Sequence, residues 1–315
     1  MKETSMLVRP ASKAGSWYPA RAEELERTVN ALAAAAPVAA GAASLLAGVV
    51  PHAGLCFSGE TAARVFALLR QTCPDVNTVI ILGAVHTVWL DRPAAWAGGA
   101  WDCPGGAVKV DGELAGDIVH AGLADDNPAP HYGDNAIELQ LPFIRFLFPE
   151  AMIVPIAVPP LPESVIFGEK LAEITARAEK SGKKTAVIAS TDLTHYGAVY
   201  NFAPAGCGEK ALEWAKANDR RILDMACRKD AEKIVPEAAR AHNACGAGAL
   251  AAVTAYARAR GTEDGQILQQ TTSFDVMPEG VPEMFVGYGA LAFPAERTEN
   301  HGKPFCRARN RPGDL

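Results

Sequence analysis

Apolar positions along the chain alternate between a helical and an extended pattern. Over residues 20–36, Leu25, Val29 and Leu32 share one stripe and Pro37 ends it, which predicts a helix. The apolar run Leu45–Val50 that follows is short enough for a buried strand. The pair then repeats. Residues 59–70 place Ala62, Val65, Phe66 and Leu69 on one helical face, and Thr78–Gly83 is a β-branched strand. The same reading predicts helices over 137–148, 163–181 and 245–260 (closed by Gly261), with two or three more across 209–240. Further strands are expected over 153–158, 185–189 and 284–293. Strands that are apolar throughout, separated by helices, imply an α/β fold with a mainly parallel sheet sandwiched between helices. No internal repeat or long linker divides the chain. One domain over 1–295 is expected, followed by a loose, apolar-poor tail over 296–315.

Composition narrows the class. The 315 residues are 49% apolar and 21% charged, which excludes disorder and leaves enough chain for a core without disulfides. Thirty basic and 36 acidic residues give a net charge of −6, with no basic footprint for nucleic acid. Seven scattered cysteines with no CxxC pair suit a reducing compartment, so a cytoplasmic location is expected. Residues 31–50 carry no charge and are long enough to span a membrane. Pro37, Gly41 and Ser44 interrupt that stretch, however, and it follows Glu23, Glu24 and Glu26. It reads as a helix end, a loop and a strand, not as a span or a signal.

Ligands of open α/β sheets bind at the carboxyl ends of the strands. Three predicted strands run directly into chemistry there: Pro51-His52-Ala53-Gly54, Ala84-Val85-His86, and Ser190-Thr191-Asp192-Leu193-Thr194-His195. A lone histidine is by default a satisfied core or surface residue. Three imidazoles and a carboxylate at three strand ends point instead to a metal or to acid–base chemistry. Cys245 is expected at a helix start, where unpaired amides favour the thiolate, and Gly246 and Gly248 allow backbone or ligand to approach closely. Gly246-Ala247-Gly248 follows a helix, which excludes a dinucleotide loop. Cys56, four residues past His52, either lines the same pocket or is filler, and filler is the preferred reading. The polar loop from Pro130 into the next helix adds His131 and Glu138, each aimed into the site or serving only its own element.

These segments, in this order, resemble the Memo family, known in bacteria as AmmeMemoRadiSam system protein B. The resemblance is carried by Ala14-Gly15-Ser16-Trp17-Tyr18-Pro19, Val50-Pro51-His52-Ala53-Gly54, Ile81-Leu82-Gly83 with His86, and Trp101 with Pro104-Gly105. It continues through Glu138-Leu139-Gln140-Leu141-Pro142-Phe143, Val154-Pro155-Ile156, Ser190 to Gly197, Cys245-Gly246 and Val286-Gly287-Tyr288. Each motif is weak alone; together, across about residues 11–293, they are specific. The resemblance implies the fold of class III extradiol dioxygenases, with metal on His52, His86 and Cys245 and with Asp192 and His195 beside it. Asp192, one helical turn before His195, would orient it for proton transfer, and Trp17, His131, Asn135 and Glu138 would line the pocket. The family pattern Glu-His-Ser is replaced here by Asp134-Asn135-Ala136, and asparagine carries no proton. Iron is the expected ion, with copper or zinc as alternatives, because a thiolate is softer than the carboxylate of extradiol enzymes. Expected partners are a small-molecule or peptide ligand and a radical-SAM system protein, with no nucleic acid or membrane. Three readings stay open: a dioxygenase-like oxidoreductase, a peptide- or protein-binding or metal-handling module on a vestigial fold, and a zinc hydrolase.

Overall fold

The structure is a computed structural model that describes residues 7–296. Except for residue 296, the expected tail lies outside these residues, as does Cys306. Strands β1 (Val8–Arg9), β2 (Leu45–Val50), β3 (Thr78–Gly83), β4 (Ala94–Ala95), β5 (Ala100–Trp101) and β6 (Val108–Lys109) come first. They are followed by β7 (Asp125–Asp126), β8 (Met152–Ala157), β9 (Thr185–Ser190), β10 (His195–Tyr196), β11 (Gln266–Thr272) and β12 (Phe285–Pro294).

The long apolar runs form the middle of the sheet. β2, β9, β3 and β8 lie side by side and parallel, and every residue of β3 and β9 is buried. Apolar side chains on both faces of these strands leave water no access to either, which is why the runs do not alternate. β12 adds antiparallel to β2 and also pairs antiparallel with β10 and with β11. At the far edge β4 pairs antiparallel with β8, and β7 parallel with β4. β1, β5 and β6 make a separate small sheet.

Helices α1 (Ala22–Ala35), α2 (Leu55–Thr72), α3 (Gly112–His120), α4 (Leu141–Leu147), α5 (Glu163–Lys180), α6 (Glu209–Cys227), α7 (Ala231–Ala241) and α8 (Ala247–Ala259) cover the sheet. They pack in two groups. α1, α2 and α4 pack together, with α2 on β2 and β12 and the rings of Phe66 and Phe143 stacked 4.9 Å apart. α5, α7 and α8 form the other group, with α8 on β9, β2 and β3. The charge-free stretch resolves into the end of α1, a loop and β2, and among the described residues no helix is long and apolar enough to cross a membrane.

Register positions the site. Val50 and Gly83, the last residues of β2 and β3, both pair with Ser190, the last residue of β9. Three strands therefore end in one row, and the residues that follow them share one rim.

Candidate metal centre

His52 leaves the row two residues after β2, His86 three residues after β3, and Asp192 two residues after β9. The fourth approach is the turn between α7 and α8. His242 opens that turn in the left-handed region (φ 50°), and the Cys245 amide donates to the Asp192 carbonyl at 3.2 Å. The next residue, Gly246, donates its amide to Thr191 Oγ1, and a Cβ there would meet the Ser190 carbonyl at 2.8 Å. Only glycine lets the turn lie this close to the strand end. Cys245 is thereby set over the histidines, in the turn before α8 and not in its first residue.

One ligand atom each from His52, His86 and Cys245 lies within 4.8 Å of the other two. Cys245 Sγ is 3.2 Å from His52 Nε2, and the two imidazoles stand edge to face with centroids 5.2 Å apart. Hydrogen bonding settles which nitrogen each ring presents. The only hydroxyl proton of Ser190 goes to the Ala136 carbonyl (2.6 Å), so its oxygen accepts from Gln140 Nε2 and from His52 Nδ1, both at 3.1 Å. The Asp134 carboxylate likewise accepts from His86 Nδ1 at 3.2 Å. Both rings thus carry the proton on Nδ1 and leave the Nε2 lone pair for a ligand. With their Nε2 protons displaced, two imidazoles oriented from behind and a sulfur form a donor set suited to Zn, Cu or Fe.

With no ion between them, the three groups favour a thiolate against charged imidazoles, and a metal would take the place of the Nε2 protons. Burial opposes charging Cys245, but His52 and His86 beside it hold its thiol below the ordinary value. Burial likewise opposes charging the imidazoles. Cys245 and then Asp192 raise His52, and Asp134 and Cys245 raise His86.

The remaining predicted residues divide. Asn135 is half-buried and donates through Nδ2 to the His52 carbonyl at 3.0 Å, so it touches the backbone of a candidate ligand. Trp17 lines the adjoining cavity. His131 does not reach the centre. It is buried edge-on to Trp96 and Trp101 with Nε2 on the Ala94 carbonyl, and burial pushes it down to about 4, so it stays neutral. Glu138 neither faces the site nor caps a helix. Its carboxylate is consumed by Arg9 Nη1 (2.6 Å), Ser12 Oγ, the Lys13 amide and the Tyr18 hydroxyl. Arg9, absent from the sequence reading, is wholly buried. It also donates to the carbonyls of His131 and Asp134, both at 2.7 Å, and its guanidinium lies 4.3 Å over the Trp101 ring.

The expected helical turn from Asp192 to His195 does not form. Leu193 and Gly287 exchange ladder-like bonds (Leu193 N to Gly287 O, Gly287 N to Thr194 O), which holds the segment extended beside β12. Asp192 therefore does not orient His195: its Oδ1 accepts the His52 amide at 2.7 Å, while His195 Nδ1 donates to the Leu193 carbonyl at 3.1 Å. The sequence reading also missed Asp134 and Ser190 as orienting groups. Their one sequence signal is position, Ser190 as the last residue of a strand and Asp134 in the loop opposite.

Two cavities meet at His195 and Tyr200. The larger, about 540 Å³, is lined by Trp17, Phe57, Asp192, Phe285 and Tyr288 among others, with Cys56 exposed in its wall. The second, about 500 Å³, is lined by Phe202, His242 and Cys245.

Fold and site together define an α/β protein whose two histidines and one cysteine form a group that could hold a single metal ion. The chain belongs to the Memo family, whose description, Memo-like protein, matches residues 9–292. It is 36% identical to the MEMO1 family protein TK1477 of Thermococcus kodakarensis, over 91% of this chain and 99% of that one. It is 32% identical to MK0963 of Methanopyrus kandleri (90% and 98% covered) and 30% identical to a MEMO1 family protein of Methanosarcina mazei (91% and 99%).

Proposed function

We propose that the protein is a mononuclear metal-site protein acting as a dioxygenase-like oxidoreductase, with iron held by His52, His86 and Cys245. The observation that carries this reading is the convergence of two Nε2 lone pairs and one sulfur, each ring fixed from behind by Ser190 or Asp134. A bound iron ion would supply open coordination positions and one-electron chemistry at that point. His195 is the proton acceptor. Its Nδ1 hydrogen is spent on the Leu193 carbonyl, which makes Nε2 the nitrogen that would take a proton, and the residue lines both cavities. Asp192 fixes the backbone of His52 and contributes negative charge to the cavity wall.

Elemental analysis of anaerobically purified protein, with oxygen uptake measured on the same sample, tests the reading. Iron in a 1:1 ratio that is lost in His52→Ala but kept in His195→Ala supports it. Zinc without oxygen dependence would make the protein a hydrolase, and equal metal loss in both variants would make His195 a ligand. A second reading, a peptide- or protein-binding module, is favoured by the exposed Trp17, Phe57, Met277 and Met284 around the larger cavity. Metal-free protein that still binds peptide would support that alternative.

A further inference from the structure

The larger cavity contains a carboxylate that no cationic side chain touches among the described residues, though its charge raises the neighbouring His52 imidazole. Asp192 is only 4% exposed, yet among the described residues no lysine, arginine or histidine side chain comes within ion-pairing distance of it. Its Oδ1 is occupied by the His52 amide, whereas Oδ2 accepts no hydrogen bond from the protein and borders the cavity. A buried carboxylate is costly unless a cation or several donors compensate it, and here the protein supplies one donor. The cavity is lined as well by the aromatic side chains of Trp17, Phe57, Tyr200 and Tyr288, with Glu279 as a second carboxylate. Burial, and then the Asp192 charge, keep the Tyr200 and Tyr288 hydroxyls protonated, so neither phenol adds negative charge of its own. The Trp17 ring already receives one cation, Lys13 Nζ at 5.6 Å from its centroid. Carboxylates set among aromatic faces match one ligand chemistry: an organic ammonium with an apolar body, held by charge and by cation–π attraction.

We propose that the larger cavity binds an apolar ammonium compound, with Asp192 as its counter-charge and the surrounding aromatic rings as its cage. The proposal deepens the functional reading above, since it names the ligand class of the cavity beside the candidate metal centre. The ligand's charged nitrogen sits against Asp192 Oδ2, and its apolar body fills the space between Trp17, Phe57 and Phe285. No bond is made or broken in this step.

Isothermal calorimetry on the full-length, metal-loaded protein tests it with three probes of similar size at one ionic strength: trimethyl(2-phenylethyl)ammonium, 2-phenylethanol and 3-phenylpropanoate. A quaternary ammonium has no lone pair for a metal, so its binding reports the cavity alone, and the metal content of the same samples tests the His52–His86–Cys245 reading separately. The ammonium is expected to bind about tenfold or more tightly than the alcohol, and the carboxylate most weakly. Asp192→Asn keeps an oxygen for the His52 amide and is expected to bring the ammonium to within about twofold of the alcohol measured on the same variant. If wild-type protein binds the alcohol or the carboxylate as tightly as the ammonium, the proposal fails without reference to any variant. It also fails if the ammonium preference survives Asp192→Asn.

Discussion

Ser190 shows how a residue that touches no ligand decides what its neighbour can bind. Its hydroxyl gives its proton to Ala136 and so leaves His52 only one tautomer. Ser190→Ala is expected to lower metal affinity about 10–100-fold with the fold intact, read by competition titration with Co(II) or Zn(II). Cys245→Ser should remove the thiolate-to-metal absorption of the Co(II) form altogether, which a loss of affinity alone would not do. The two candidate histidines are legible in the sequence, because strand ends of a parallel sheet share a rim and His52 and His86 stand just past two of them; Cys245 joins them through the family resemblance. Their orienting partners are not. Whether Asp134 or Ser190 meets an imidazole depends on how the loop after β7 folds back over the row, and no local pattern encodes that. The Asp192–His195 spacing was misread for a similar reason: pairing with β12 overrides the helical spacing.

At the level of elements, α6 serves the site without lining it. Asn218 donates to Thr194 Oγ1 and to the Ala241 carbonyl, and Asn243 donates to the Asn218 carbonyl. Asp219 accepts from the amide and hydroxyl of Thr194. One helix thus braces both the segment carrying His195 and the turn carrying Cys245. Burial pushes Asp219 up to about 7, against the bonds from Thr194 and the pull of Arg221. The folded chain holds this proton more tightly than the unfolded chain, whose carboxylate titrates near 3.8. The stability Asp219 contributes is therefore complete below that value and disappears as pH rises through 7. Asp219→Asn cannot ionise, so between pH 5 and pH 8 its stability relative to wild type should improve by up to about 2–3 kcal/mol in urea unfolding. A difference that stays constant across that range would show that Asp219 does not titrate there. Besides several two-residue strands, the longer elements that the sequence pattern does not reveal include α3 and β11. α3 carries Gly112 and Gly116 and relies on Asp111, which caps the Leu114 amide, while β11 (QILQQTT) is polar and extended only because β12 pairs with it.

At the level of the whole molecule, the buried Arg9–Glu138 pair ties the segment before α1 to the loop that carries Asp134 and Asn135. Arg9→Met leaves Glu138 as an uncompensated buried charge and should cost about 3–5 kcal/mol in chemical denaturation. A loss below about 1 kcal/mol would mean that the other three donors to Glu138 suffice. The pair also has a consequence for synthesis. The two partners are 129 positions apart, so at about 5–20 residues per second Arg9 emerges from the ribosome roughly 6–26 s before Glu138 exists to receive it. Among the described residues strand β1 pairs with β5, and the Arg9 guanidinium reaches the Glu138 carboxylate and the carbonyls of His131 and Asp134 once the following hundred-odd residues have been made. All of these partners are nevertheless made before β9 and β12, so the Asp134 loop, and with it the support of His86, has its anchor on hand before the row of strand ends it serves is complete.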